Sequence, residues 1–453
     1  ENGKYYVYNM ESKTGSKLSE SPEGAGNSSI HANGKTVYTI DNNIGLFTGK
    51  GHKLSTKNKD KNIVSGQAIA RSEFGITGGI FWSPSGEKIG FYQKDETHVH
   101  DYPLLDINST PGELSSIKYP MAGQKSEKPR IGIISTKNGK AKYLETYGNE
   151  EDHYLTNFGW GPNEEFVYVA EVNRDQNHAK LLKYNAKNGK LVKVLFEEKN
   201  DKWVEPEHPV YFLPGSSNQF IWMSERDGFM NLYLYDTDGK LIKQLTKNKW
   251  VAQDILGVSA DNSSVIFQGT GESPLNTMIY KVNVKTGEQT LLTKVEGTHR
   301  CQLSANRKML FDSYSNHSTP LVEQILDLDG KIISDLGKFE NPLANYQVGT
   351  ADISSIKGKD GTLLHTRMIK PSNFDPKRKY PVLVYVYGGP HAQLVTNRWL
   401  GGAPLWMYYQ AERDYIIFTV DNRGSANRGF DFESIIHRNL GDAEIDDQIK
   451  GVN

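Results

Sequence analysis

Among 453 residues, 53 Lys+Arg balance 54 Asp+Glu and hydrophobic side chains make up 37%. The net charge of −1 argues against a generic nucleic-acid binder, which carries a basic excess, and the composition is not that of a disordered chain. No apolar run approaches the roughly 18 residues of a transmembrane helix, and the single cysteine, Cys301, leaves no intrachain disulfide and no cysteine-based metal cluster.

At roughly 150 residues per domain, the length predicts two or three domains. Glu1-Asn2-Gly3-Lys4 leads straight into Tyr5-Tyr6-Val7-Tyr8, which reads as a strand. With no basic segment followed by an apolar one, no signal peptide is read here, and a chain cut from something longer is expected. A unit of strand, polar turn and strand then recurs. It is clearest at Ile80-Phe81-Trp82-Ser83-Pro84 and Phe158-Gly159-Trp160-Gly161-Pro162, and returns at Tyr211-Phe212-Leu213-Pro214-Gly215. Weaker copies lie at Val258-Ser259-Ala260-Asp261 and Leu303-Ser304-Ala305-Asn306, and an earlier copy at Ile30-His31-Ala32-Asn33-Gly34. The turns fall at 32, 84, 162, 214, 260 and 305, so the spacings are 52, 78, 52, 46 and 45. Most match the period of a four-stranded propeller blade. The long one implies an insertion near residues 94–130. Asn188-Gly189, Asp238-Gly239 and Thr286-Gly287 mark hairpins in the second half of each unit. A β-sandwich also has short alternating strands, but would not repeat one motif six times.

Beyond Gly349 the pattern changes. Leu363–Ile369 follows a hairpin turn at Gly358-Lys359-Asp360-Gly361. Tyr380-Pro381-Val382-Leu383-Val384-Tyr385-Val386-Tyr387 is a near-continuous apolar run, as expected of a strand buried on both faces. A helix over 405–414, a second buried strand over Tyr415–Val420 and a helical segment over about 431–452 complete the start of an α/β sheet. The expected division is 1–348 for the propeller and 349–453 for the α/β part.

A propeller followed by Tyr387-Gly388-Gly389-Pro390-His391 and Asp421-Asn422-Arg423-Gly424-Ser425 resembles the prolyl oligopeptidase family, in its dipeptidyl peptidase IV branch. Arg71-Ser72-Glu73-Phe74-Gly75, Tyr119-Pro120-Met121-Ala122-Gly123, Val169-Ala170-Glu171-Val172-Asn173-Arg174 and His437-Arg438-Asn439-Leu440-Gly441 bring it nearest to the prolyl tripeptidyl aminopeptidase group. The resemblance implies a mainly β fold: an eight-bladed β-propeller, with six or seven blades visible here, followed by the first part of an α/β-hydrolase domain. It implies a serine exopeptidase that cleaves after proline, two or three residues from a free amine.

By position alone, Glu73 reads as a solvated loop carboxylate. The resemblance makes it the group that binds the substrate α-amine, by a charge-assisted hydrogen bond. The dipeptidyl enzymes use two adjacent glutamates there; one stands here, as in the tripeptidyl group. Tyr387, otherwise a core tyrosine, becomes the donor to the oxyanion of the tetrahedral intermediate. Trp203, Val204 and Glu205 match, loosely, a loop lining the substrate cavity, and serve equally as a plain blade connection. Arg423 reads as a structural, ion-paired residue. No metal and no cofactor are implied. The expected partners are peptides with proline near the amino terminus, no nucleic acid, and a second copy in a homodimer of the full-length protein. The expected location is a bacterial cell envelope, periplasm or surface. The family nucleophile sits in a G-x-S-x-G elbow; none occurs in these 453 residues, and it is expected beyond Asn453 with its aspartate and histidine. The alternative is a non-catalytic propeller that binds peptides or proteins.

Overall fold

The computed structural model describes residues 3–49, 51–145 and 153–453. Among them, six antiparallel sheets of four or five strands follow an opening two-stranded hairpin, Lys4–Asn9 with Thr14–Glu20. Five sheets take their strands in chain order. They are antiparallel meanders, as in propeller blades, without the Greek-key crossings of a sandwich. The weakest repeats seen in the sequence head two complete sheets, starting at Ala252–Val258 and Thr298–Leu303.

The repeated turn has one geometry. His31, Ser83, Gly161, Ser259 and Ser304 each donate their N–H across the turn, to the carbonyls of Lys35, Lys88, Phe166, Ser264 and Met309. Gly34, Gly86, Glu164, Asn262 and Arg307 take the left-handed residue, with φ from 54° to 84°. Later in each unit a glycine serves packing as well. Gly189 and Gly330 have positive φ, and a Cβ on them would lie 2.5 Å from the Tyr143 carbonyl oxygen and 2.4 Å from that of Leu292, both on the preceding blade. Only a residue without a side chain lets the blades approach this closely.

The chain forms two compact units. One comprises Glu1–Phe212, Ser216–Trp222 and Tyr235–Lys240; the other comprises Leu213–Gly215, Met223–Leu234 and Leu241–Asn453. In the first, Tyr92, Ile131 and Ile133 of one blade pack against Leu155, Phe158, Val167 and Val169 of the next. In the second, Ile266, Ile279 and Leu292 pack against Leu310 and Leu326. Each blade thus buries a face it could not bury alone. The insertion expected near 94–130 is a projecting hairpin, Asp101–Asp106 with Glu113–Lys118. It leaves Leu105, Ile107 and Leu114 exposed.

The second unit also contains a mixed four-stranded sheet, in the order Thr350–Lys357, Leu363–Lys370, Ile416–Val420, Val382–Val384. Val382–Val384 and Ile416–Val420 are parallel and joined through the helix Leu405–Ala411, whose Met407, Tyr408 and Ala411 pack on Ile369 and Ile417. Two expectations need correction. The run 380–387 is not a strand buried on both faces. Pairing stops at Val384, the strand is the sheet edge, and Tyr385, Val386 and Tyr387 are exposed. An apolar run reports the capacity for burial, whereas a neighbouring strand has to supply it. The segment 431–452 is not one helix either. Phe430–Glu433 and a 3-10 turn at Ser434–Ile436 are separated from Asp442–Val452 by a non-helical His437 and a left-handed Gly441.

Candidate functional site

In the second blade the first strand is split. Ile63–Ser65 and Ile80–Trp82 both pair with Lys88–Asp95. The residues between them form a loop closed at its neck, where a Cβ on Gly79 would meet the Gln67 backbone at 2.2 Å. Glu73 lies in this loop. Around it, Ala70, Arg71, Ser72 and Phe74 all have φ between 51° and 67°. A non-glycine residue in that region costs about 1–2 kcal/mol, so such a run persists only when its surroundings fix it, and it is characteristic of binding sites.

The fixing contacts are specific. Glu127 Oε1 accepts the Ala70 N–H at 2.7 Å. Arg71 donates to the Lys118 carbonyl and lies over the Tyr119 ring at 4.6 Å. Phe74 is buried, meets the Tyr154 ring at 5.3 Å, and accepts from Asn157 Nδ2 at 3.3 Å through its carbonyl. Ile69, Ala70, Phe74 and Ile76 belong to the first unit's core. Glu73 itself is exposed. A rigid loop therefore presents a solvated carboxylate.

The segment carrying Trp203, Val204 and Glu205 comes to the same place. Val204 packs on the core that contains Phe74 and Ile76, and its N–H donates to the Gln176 carbonyl at 2.7 Å. Gly75, at φ +68°, lies so close to this segment that a Cβ would be 2.1 Å from the Glu207 carbonyl oxygen. Trp203 and Glu205 are half-buried. Residues not singled out from the sequence complete the surroundings: Glu127, Tyr154 and Arg174, the last donating to the Tyr154 hydroxyl. Arg174 stood in a string carrying the family resemblance. Nothing local in the sequence marks Glu127.

Tyr387 belongs to the second unit. It is 64% exposed and follows the sheet edge, where the Tyr385 N–H still donates to the Phe418 carbonyl at 2.8 Å. The loop after it is held from below. Asp421 accepts the N–H groups of Leu394 and Val395 at 2.9 and 3.0 Å. The fully buried Arg367 donates to the carbonyls of Leu394 and Gly401 at 2.6 and 2.8 Å. Burial pushes the Asp421 carboxyl up to about 6, against the opposing pull of those N–H groups and of Arg367 and Arg428. His365 is pushed down to about 4 by burial and by Arg428. Arg423 has the structural role expected of it. It chelates the buried Asp447 through Nε and Nη2 at 2.9 Å and reaches Asp360 at 2.9 Å. Among the described residues no group of three His, Cys, Asp or Glu side chains could hold a metal ion.

Residues 2–321 match the family described as the dipeptidyl peptidase IV N-terminal region. The chain belongs to this family. Residues 404–453 match the prolyl oligopeptidase family. A Bacteroides ovatus crystal structure assigned as a dipeptidyl aminopeptidase IV superposes with a TM-score of 0.93 at 42% identity, covering 99% of this chain and 66% of that one. Dipeptidyl peptidase 4 of Porphyromonas gingivalis gives a TM-score of 0.86 at 27% identity, covering 98% of this chain and 64% of its own. Among curated relatives, the Arthroderma gypseum protein assigned as dipeptidyl-aminopeptidase B is 27% identical over 99% of this chain and 53% of its own length. Human dipeptidyl peptidase 8 is 24% identical over 85% of this chain and 52% of its own. The chain thus spans about half the length of these curated relatives. It is mainly β, with propeller blades followed by the beginning of an α/β-hydrolase fold.

Proposed function

We propose that these residues are the propeller (1–348) and the opening of the hydrolase domain (349–453) of a serine exopeptidase. It releases dipeptides or tripeptides ending in proline from peptides with a free amino terminus, through an acyl-enzyme. The observation that carries this reading is the strained, core-anchored loop presenting Glu73, on a chain of the dipeptidyl peptidase IV family.

An exopeptidase measures distance from the α-ammonium to the scissile bond, so its carboxylate must not move. Four left-handed residues locked by Glu127, Tyr119 and Tyr154 supply that rigidity. In this reading Glu73 accepts the ammonium, and Trp203, Val204 and Glu205 line the recess beside it. Tyr387 donates to the oxyanion; loss of such a donor costs about 10²–10³ in turnover. The single glutamate in Arg71-Ser72-Glu73 favours tripeptide release, with dipeptide release as the near variant. No cofactor enters acyl transfer of this kind. The apolar tip of the hairpin at 101–118 supports a homodimer of the full-length protein. A bacterial envelope location rests on the family resemblance alone.

The test is Glu73→Gln in the complete protein, assayed on Xaa-Pro and Xaa-Xaa-Pro chromogenic peptides. A charged hydrogen bond worth about 1.5–3 kcal/mol predicts a fall in kcat/KM of about 10–100-fold for free-amine peptides. An unchanged kcat/KM removes Glu73 from the site. Peptide binding without turnover by the complete protein would instead favour the non-catalytic propeller.

A further inference from the structure

Beside the Glu73 loop lies an open recess of about 290 Å3, lined by His98, Gln124, Lys125, Ser126, Lys128 and Arg174. Among the described residues its lining is basic and includes no carboxylate. Glu127 accepts the Ala70 N–H and lies near Lys94, and Asp95, bonded to Thr97, acts on His98 and Lys128. Arg174 is exposed and held in place. Its hairpin is pinned by Asn173 Oδ1, which accepts the N–H groups of Asn177 and His178. Its guanidinium donates to the Tyr154 hydroxyl and lies 5.6 Å from that ring. Among the described residues this is the only hydrogen bond it makes, so most of its five donors face solvent.

Two chains of contact tie Arg174 to the amine recess. Tyr154, under the guanidinium, stacks on Phe74, the neighbour of Glu73. Gln176, in the same hairpin as Arg174, binds the backbone of Val204. A peptide whose α-ammonium rests on Glu73 carries its first side chain on the adjacent carbon, within a few ångströms of that ammonium. An acidic first side chain would be repelled by Glu73 unless a cation stood beside it.

We propose that Arg174, at the edge of this recess, binds the carboxylate of an aspartate or glutamate at the amino-terminal position of the substrate. This inference rests on Glu73 holding the α-ammonium, as in the function proposed above. It makes the protein selective for acidic peptides among those with proline near the amino terminus.

The test compares, in the complete protein, Glu-Pro with Gln-Pro and Glu-Ala-Pro with Gln-Ala-Pro p-nitroanilides. Arg174 predicts a Glu-over-Gln preference in kcat/KM of about tenfold, which is about 1.4 kcal/mol. The preference shrinks as salt is raised, because the recess is open to solvent. Arg174→Gln brings the ratio to about one, and Arg174→Lys keeps part of it. The ratio is internal to each variant, so partial loss of folded protein does not change it. Turnover of all four peptides without a Glu-over-Gln preference, or a preference retained by Arg174→Gln, overturns this inference alone. Turnover of none of the four overturns it together with the peptidase reading.

Discussion

Asparagine in place of Asp421 keeps the shape of the side chain that holds the loop after Tyr387, but cannot ionise. The wild-type carboxyl titrates at about 6 rather than its ordinary 3.8, chiefly because it is buried. Between those values the folded state keeps a proton that the unfolded state has lost. Stability therefore falls as pH rises through that window and levels off above it. The interval of about 2 pH units, at about 1.36 kcal/mol each, amounts to about 3 kcal/mol. Asparagine contributes no such slope. Relative to wild type, Asp421→Asn should gain about 3 kcal/mol between pH 4 and pH 7.5. For a unit of roughly 150–250 residues this is about 6–12 °C in Tm. Any offset from the altered hydrogen bonds to Leu394 and Val395 is constant with pH, and His365 is common to both proteins. Unfolding followed by tryptophan fluorescence at several pH values reads the difference directly. Parallel pH profiles for the two proteins would refute the claim that burial of the Asp421 charge outweighs the groups that stabilise it.

Other expectations follow from the same unit. His365 is held well below its ordinary 6.5, so its contribution to stability is present above 6.5 and lost as pH falls toward 4. His365→Gln should flatten the acid limb of the stability profile, and an unchanged acid midpoint would count against this. Asp447→Ala strands the Arg423 guanidinium in a largely buried position and should destabilise by about 3–5 kcal/mol; a urea titration showing a loss under about 1 kcal/mol would refute the assignment. Gly330→Ala should cost more than Gly361→Ala. Both have strongly positive φ, but a Cβ at Gly330 meets the Leu292 carbonyl oxygen at 2.4 Å while at Gly361 it meets nothing within 4 Å. The strain term is about 1 kcal/mol at each, and equal midpoint shifts would show that the blade contact yields freely.

The blade repeat was legible because each copy contains both halves of its own hairpins. A turn such as Ser83-Pro84-Ser85-Gly86 needs a left-handed residue at a fixed place, and a strand needs apolar side chains at a period of two; both requirements are local. The same holds for Gly358–Gly361, whereas Arg423 was read as structural and ion-paired by resemblance, and its partner Asp447 came from the structure. Glu73, Tyr387 and the 203–205 segment were singled out as candidates by resemblance, since a lone glutamate or tyrosine carries no local signature.

Tertiary structure alone decided the rest. That the loop bearing Glu73 is pinched at Gly79, strained at four residues and anchored by Glu127 and Asn157 depends on contacts 57 and 83 residues away in sequence. That Arg174 stands beside it depends on Tyr154 and Phe74 meeting across two blades. Burial was misread at 380–387 for the same reason. Hydrophobicity is a property of the segment, but exposure belongs to its neighbours, and no strand among the described residues covers that edge. The sequence determines which side chains seek burial and where the chain turns. Which of them find a partner, and which carboxylate is left facing water on a rigid support, is set by the packing of segments far apart along the chain.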